Sequence, residues 1–518
     1  MNVIVVHNAT SRLHTDPATL RAVRGFVSYR ADELPSRQAQ ALIREFFATR
    51  RRQGFDRDVD ALYADPALAQ LLGEADCPPD TLTAETLHDI LRRSGVWDGW
   101  TTLIARDGSF GTGLVPHVLR AVTLRIGAEC RVDDARDVPP SAPSRGKRPN
   151  LYSYQAEASD ALAARARGVV ELPPRSGKTR IAADVITRLG LPTAYVAPGR
   201  GLVDQATRAL AEFLGKDVIG VTGGSPDAAT RRRMAHSLAW VMTPQTAVAL
   251  DGALARTRRV LVLDEHHHAA SATILAISQL YAEAYYRLGL TGTHYRADGR
   301  DMEMRSVLGT VLLRRTVGEM VDAGRLVPAR IAVVRVPGER LGRTSGRDTY
   351  VGGVVAHEGR NATAAYAAHR LAETGRRVLV LVKEVRHGIE LARRIPGAAF
   401  VEGAHGADAV REALAALQAR RLRAVVGTSV IGEGRDVPAA DALVYAAGGR
   451  SRVKVVQDFF RVLTACAEKA EGIVVDFADD HHDRLVQAAA HRVALYRAEP
   501  AFRCDVIDSW DLDRWIGV

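Results

Sequence analysis

Cysteine is scarce: the 518 residues hold only Cys77, Cys130, Cys466 and Cys504, widely scattered and forming no CxxC pair. That excludes a disulfide framework and a zinc knuckle, and makes a reducing cytoplasm the simplest home. No apolar run is long enough to cross a bilayer. The opening "MNVIVVHNAT" lacks a basic flank and is too short for a signal peptide, so no membrane partner is expected. A repeat at solenoid period is absent, as is any nuclease or methylase pattern. Acidic residues fall short of basic ones, 60 against 70, leaving a net charge of +10 that suits a polyanionic partner such as nucleic acid.

What is present divides the chain into blocks. "RDVPPSAPSRGKRPN", Arg136 to Asn150, is rich in Pro, Ser and Arg and reads as a linker. Beyond it, short Val/Leu/Ile runs alternate with Ala/Leu/Arg-rich helical stretches, the pattern of buried parallel strands with crossover helices. The runs "GVVEL", "TAYVA", "WVMT", "VLVLDE" and "RLGLTG", then "RVLVLV", "AVVGTS", "ALVYA" and "GIVVDF", suffice for two α/β domains joined near Arg325 to Val336. The expected boundaries are 1–137 for an N-terminal α+β domain, 138–150 for the linker, 151–330 and 331–490 for the α/β domains, and 491–518 for an extension. Within the first block, Pro35 to Leu91 reads as a helical insertion.

The chemistry begins at "ELPPRSGKTR". A strand runs into a loop closing on Gly177-Lys178-Thr179 at the start of a helix. Backbone N–H groups and the helix dipole there aim at phosphate oxygens, Lys178 reaches the terminal phosphates, and the Thr179 hydroxyl can ligate Mg²⁺. Leu172 stands where the phosphate-loop pattern wants a glycine. One domain-sized interval later, "RRVLVLDEHHHAA" puts Asp264 and Glu265 at a strand end, one carboxylate for Mg²⁺ and the other to polarise a water.

These pieces, with "YQAEASDAL" at Tyr154, "VAPGRGLVDQA" at Val196, "MTPQT" at Met242, "RLGLTGTHYRADGRD" at Arg287, "VVGTSVIGEGRDVPAADALVYAAG" at Val425 and "QDFFRVLT" at Gln457, resemble the ordered motifs of a superfamily 2 helicase of the DExH type. The resemblance covers roughly residues 151 to 480. It implies two tandem RecA-like parallel-sheet domains that clamp ATP and Mg²⁺ and drive translocation on DNA. It implies too that Tyr154, Gln155, Pro174, Arg175, Ser176, Gly177, Lys178, Thr179, Gly434, Asp436 and Gln457 surround the nucleotide. Arg200, Thr243 and Thr428 would touch the nucleic-acid backbone, Thr291 and Thr293 would couple the two sites, and Arg461 would cross the cleft as the catalytic arginine.

Two departures bear on catalysis. Motif III reads Thr291-Gly292-Thr293-His294, which keeps both hydroxyls but loosens the backbone. In motif VI, Phe460 replaces a glycine and Thr464 the second arginine, a loss that in related phosphoryl-transfer enzymes is worth roughly 10³ to 10⁵ in rate.

The N-terminal block, with "RGFVSYRADE" at Arg24 and Gly95 to Asp134 read as hairpin, Gly-rich turn, helix and strand, is similar to the small domain preceding the motor in phage UvsW-type branch-migration helicases. Trp97, Arg106 and Arg120 are its candidate duplex contacts. The expected function is an ATP-dependent DNA helicase or translocase acting on branched duplex. The alternatives are the motor subunit of a restriction or defence complex, whose protein partner supplies a nuclease, and an attenuated ATPase serving as a DNA clamp.

Overall fold

In a computed structural model of the chain the described residues are 2–30, 100–265, 271–292, 301–342, 346–428, 440–449, 458–466 and 469–517. The helical insertion expected over Pro35 to Leu91 lies outside them.

Strands β1 (Asn2–Val6), β2 (Thr10–His14), β5 (Ser109–Gly111) and β6 (Cys130–Asp134) form a four-stranded sheet in the order β5-β2-β1-β6. A separate pair joins β3 (Ser28–Arg30) to β4 (Trp100–Thr102). The helix Pro17–Phe26 starts on Asp16, whose carboxylate caps the N–H groups of Ala18 and Thr19. With the helical turn over 115–125, these elements enclose a small core around Ile4, Leu13, Val23, Phe110 and Val118.

Seven strands make lobe 1: β7 (Arg167–Glu171), β8 (Thr193–Val196), β9 (Val218–Val221), β10 (Ala239–Met242), β11 (Val260–Asp264), β12 (Tyr286–Thr291) and β13 (Val311–Arg314). Their order is β13-β7-β12-β11-β8-β10-β9 and every pairing is parallel. Lobe 2 repeats the plan with β14 (Ala329–Val336), β15 (Val378–Leu381), β16 (Ala398–Val401), β17 (Ala424–Gly427), β18 (Ala442–Tyr445), β19 (Gly472–Asp479) and β20 (Phe502–Ile507), ordered β16-β17-β15-β18-β19-β14-β20 and again all parallel. Parallel strands require covered faces, and the flanking helices supply the cover; β8, β10, β15, β17 and β18 are buried along their whole length. The architecture is two tandem RecA-like sheets preceded by a small α+β domain. Residues 491–518, set apart as an extension above, contribute β20 at the edge of the lobe 2 sheet and the buried side chains Leu512 and Ile516 to its core.

The junctions are tight. Residues 138–150 carry no regular structure, yet Arg145 N–H donates to Thr187 O and Lys147 N–H to Phe213 O, and Arg148 makes two hydrogen bonds to the buried carboxylate of Asp184 at 2.8 and 3.0 Å. The segment is strapped along lobe 1. Helix Asp301–Leu308 is shared between domains: Met304, Val307 and Leu308 belong to the lobe 1 core and Met302 packs on the N-terminal core. Gly111 and Gly113 press on that helix. A Cβ at Gly113 would lie 1.9 Å from Arg305 O and one at Gly111 2.5 Å from Ser306 O. Arg167, at the start of β7, donates both to Asn8 O of the N-terminal domain and to Val307 O.

Candidate active site

The phosphate loop grows out of β7. Leu172 is fully buried, and its N–H donates to Thr291 O at 3.0 Å, so the position that the pattern gives to glycine extends the sheet instead of turning. The turn falls later, where Arg175 has φ 67° and Gly177 φ 78°, and helix Lys178–Leu189 follows at once. Only glycine fits at 177, since a Cβ there would approach Gln155 Nε2 to 2.4 Å. Gln155 is buried and braces the loop: its Nε2 donates to Ser176 O at 2.9 Å while its Oε1 accepts from Tyr152 N at 3.0 Å. Tyr154 OH donates to the same Ser176 carbonyl at 2.8 Å. The Ser176 hydroxyl is buried without a hydrogen-bond partner among the described residues.

Lys178 lies under this loop, donating to Leu172 O at 3.2 Å and paired with Glu265 Oε1 at 2.9 Å. Glu265 sits just past β11 with φ 42°, and its other oxygen accepts from Gly292 N at 3.0 Å. Motif II thus holds motif III by its backbone. Gly292 lies beside Pro174 and Lys178: a Cβ there would sit in ordinary contact with Pro174 Cδ at 3.4 Å and Lys178 Nζ at 3.7 Å. Asp264 Oδ2 accepts from Tyr195 OH at 2.6 Å. Its Oδ1 is buried and has no hydrogen-bond partner among the described residues. Burial, and then the adjacent Glu265 charge, push the Asp264 carboxyl up from its ordinary range. An uncommitted, desolvated carboxylate oxygen is the donor a divalent cation takes, so Asp264 fits Mg²⁺, and Thr179 stands in the first turn of the helix that follows the loop.

Residues 148–296 match the family described as the type III restriction enzyme res subunit. A DNA 3'-5' translocase, XPB2, of Sulfurisphaera tokodaii is 31% identical over 183 residues, covering 34% of this chain and 38% of its own length. A putative helicase 22 of a Sulfolobus islandicus filamentous virus is 25% identical over 245 residues, 43% of either chain. This chain spans about two fifths of the length of those relatives. Among solved structures, the DNA-bound type ISP restriction-modification enzyme LlaBIII has 14% identity and a TM-score of 0.54 over 71% of this chain and 33% of that one. UvsW of bacteriophage T4 has 18% identity and a TM-score of 0.43 over 98% and 99% of the two chains. Residues 148–296 are thus similar to the res-subunit family, and the two parallel sheets share the fold seen in LlaBIII.

The other positions singled out in the sequence fall on both lobes. Arg200 is exposed at the first turn of helix Arg200–Leu214, Thr243 caps helix Pro244–Val248, and Thr428 follows β17; all three stand at carboxyl ends of strands, as do the phosphate loop, Asp264 and Thr291. Arg106 and Arg120 are exposed on the N-terminal domain. Trp97, Thr293, Gly434, Asp436 and Gln457 lie outside the described residues.

Motif VI explains its own departures from the helicase pattern. Phe460 is 2% exposed and fills the core shared with Leu463, beside Phe459, which stacks on Tyr496 at 4.9 Å. A glycine there would leave a cavity. Arg461 is buried too, its Nη2 on Asp458 Oδ1 at 2.8 Å, and its Nη1 has no hydrogen-bond partner among the described residues. Thr464 pairs with Leu326 in an isolated bridge, flanked by Val327 N–H to Leu463 O and Ala465 N–H to Arg325 O. Sequence reasoning missed Tyr195, Asp458 and Arg325. Tyr195 was hidden inside "TAYVA", where a lone tyrosine reads as strand core.

Proposed function

We propose that this protein is an ATP-dependent DNA helicase or translocase that remodels branched duplex DNA in recombination, repair or replication. The observation that carries the reading is the convergence of Lys178, Glu265 and Asp264 at one loop, with the Asp264 Oδ1 and Ser176 hydroxyl left without hydrogen-bond partners among the described residues.

In this reading Lys178 leaves Glu265 for the terminal phosphates, and the loop amides from Arg175 to Thr179 cradle the others. Released from the lysine, Glu265 remains oriented by Gly292 N–H and takes a proton from the attacking water. Thr179 and Asp264 would hold Mg²⁺, which when bound neutralises the developing phosphate charge. Tyr195 keeps the Asp264 carboxylate in one rotamer. Arg461 supplies the cation of lobe 2, with Nη1 as its free donor. Arg200, Thr243 and Thr428 grip the DNA backbone, and Arg106 and Arg120 engage the duplex beside a junction. The kinship with a translocase and with restriction-enzyme motors supports ATP-driven movement along DNA.

The clamp alternative draws on the buried Arg461–Asp458 pair and the pinned Thr464. ATP-dependent strand separation on a synthetic four-way junction distinguishes the two. Product formed with ATP and not with a non-hydrolysable analogue supports the motor; retained junction with steady binding supports the clamp.

A further inference from the structure

Tyr152 stands at the start of helix Ser153–Arg165 with 46% of its surface exposed, the least buried aromatic ring around the phosphate loop. One of its faces looks towards Tyr154, whose ring lies nearly parallel at a centroid distance of 6.2 Å. Tyr154 is buried and its hydroxyl is bound to Ser176 O, so that side is closed by a fixed group. The guanidinium of Arg325 lies over the ring, 3.6 Å from its centroid. At that distance nothing else fits between them.

Arg325 belongs to the crossing between lobes. Its N–H donates to Met320 O, its carbonyl accepts from Ala465 N, and the next two residues pair with Thr464 and Leu463. The same residue therefore covers a flat ring next to the phosphate loop and carries the backbone on which the motif VI segment hangs. A planar cation on an aromatic face is held by the ring quadrupole and by dispersion, and a nucleobase uses the same face through the same forces.

We propose that Arg325 is a positioning residue that senses the nucleobase: a base stacking on Tyr152 displaces its guanidinium, and the displacement frees the 325–327 segment from the arrangement that holds Leu463 to Ala465. Base recognition and the placement of motif VI then share one side chain. This rests on the nucleotide site proposed above. It assigns to Arg325 a cost in the empty state, since the guanidinium must leave before the base can enter. It also separates nucleotides from simple polyphosphates, because only a ligand with a planar base engages the latch.

The test compares binding of Mg-ATP and of Mg-tripolyphosphate, which has the phosphates and no base, by titration calorimetry on the full chain. Removing a cation–π contact at a part-exposed site corresponds to a few-fold change. Arg325→Ala is expected to tighten ATP about two- to five-fold and to leave tripolyphosphate unchanged. Arg325→Ala added to Tyr152→Ala is expected to give no further change, since the ring that both groups compete for is gone. DNA-stimulated kcat should fall in Arg325→Ala while KM for ATP drops, a split that simple loosening of the fold does not produce. Weaker binding of ATP and tripolyphosphate alike, or unchanged ATP binding, overturns the latch. If the parent chain binds neither ligand, the nucleotide site itself fails, and the result is distinguishable from failure of Arg325 alone.

Discussion

Single residues decide how much of the catalytic set is intact. Arg461 is expected to serve both stability and turnover, and Arg461→Lys separates these roles. A lysine keeps the charge opposite Asp458 but not the planar fork. The melting temperature should stay within a few degrees while DNA-stimulated kcat falls by about 10²-fold, the scale of one lost transition-state donor. Arg461→Ala should lose both, because removing one member of a buried ion pair costs about 3–5 kcal/mol. Full turnover in Arg461→Lys would make the arginine a structural group. A second residue sets acid stability. His387 is buried with its Nε2 on Asn361 Oδ1, and desolvation, then the charges of Arg360 and Arg386, push its pKa from 6.5 down to about 3. The unfolded chain binds a proton here before the folded one does. Stability from this group is therefore present above pH 6.5 and lost progressively as pH falls towards 3, by at most about 1.4 kcal/mol per pH unit. Denaturant melts of His387→Gln should be flatter with pH over that window than those of the parent, and an identical slope would remove His387 as the cause. The lobe 1 side chains that the structure gathers at the phosphate loop were legible because each stands in a short motif. Tyr195 and Asp458 were not, since their partners are distant in sequence or carry no pattern.

At the scale of elements, the interior strands were readable and the edges were not. Every run singled out in the sequence became a strand, whereas β9, β13, β16 and β20, which close the two sheets, escaped notice. An interior strand is buried on both faces and needs a continuous apolar run; an edge strand such as β20, "FRCDVI", alternates with charges and resembles a loop. β14 lies inside "RLVPARIAVVRV", the stretch read as the junction between the two α/β domains. The phosphate loop also depended on a contact that spacing does not reveal: Gly177 is required by Gln155, 22 residues earlier in the chain, as well as by its own φ of 78°. Gly177→Ala should therefore abolish nucleotide binding by calorimetry and lower stability by more than about 1 kcal/mol. Near-normal ATP affinity in that variant would show that the loop rebuilds without Gln155.

For the whole molecule, the N-terminal domain is part of the frame of lobe 1 rather than an appendage. Asn8, Gly111 and Gly113 are fitted to Arg167 and helix Asp301–Leu308, so deleting the domain would uncover lobe 1 and confuse loss of DNA contact with loss of fold. Charge reversal is the cleaner probe. Arg106→Glu with Arg120→Glu should weaken binding to branched duplex at least about tenfold, reduce its salt dependence, and leave single-strand binding nearly unchanged. Equal loss on both substrates would place the duplex contacts elsewhere. The central claim is that the loop over Lys178, with Asp264 and Glu265 beneath it, hydrolyses ATP in response to DNA. Its most direct test is the steady-state release of phosphate from ATP with and without a DNA junction, in the parent chain and in Lys178→Ala. DNA-stimulated turnover is expected in the parent and none in Lys178→Ala, with DNA affinity retained in both. Equal hydrolysis by the two proteins, or none by the parent at any DNA concentration, would contradict it.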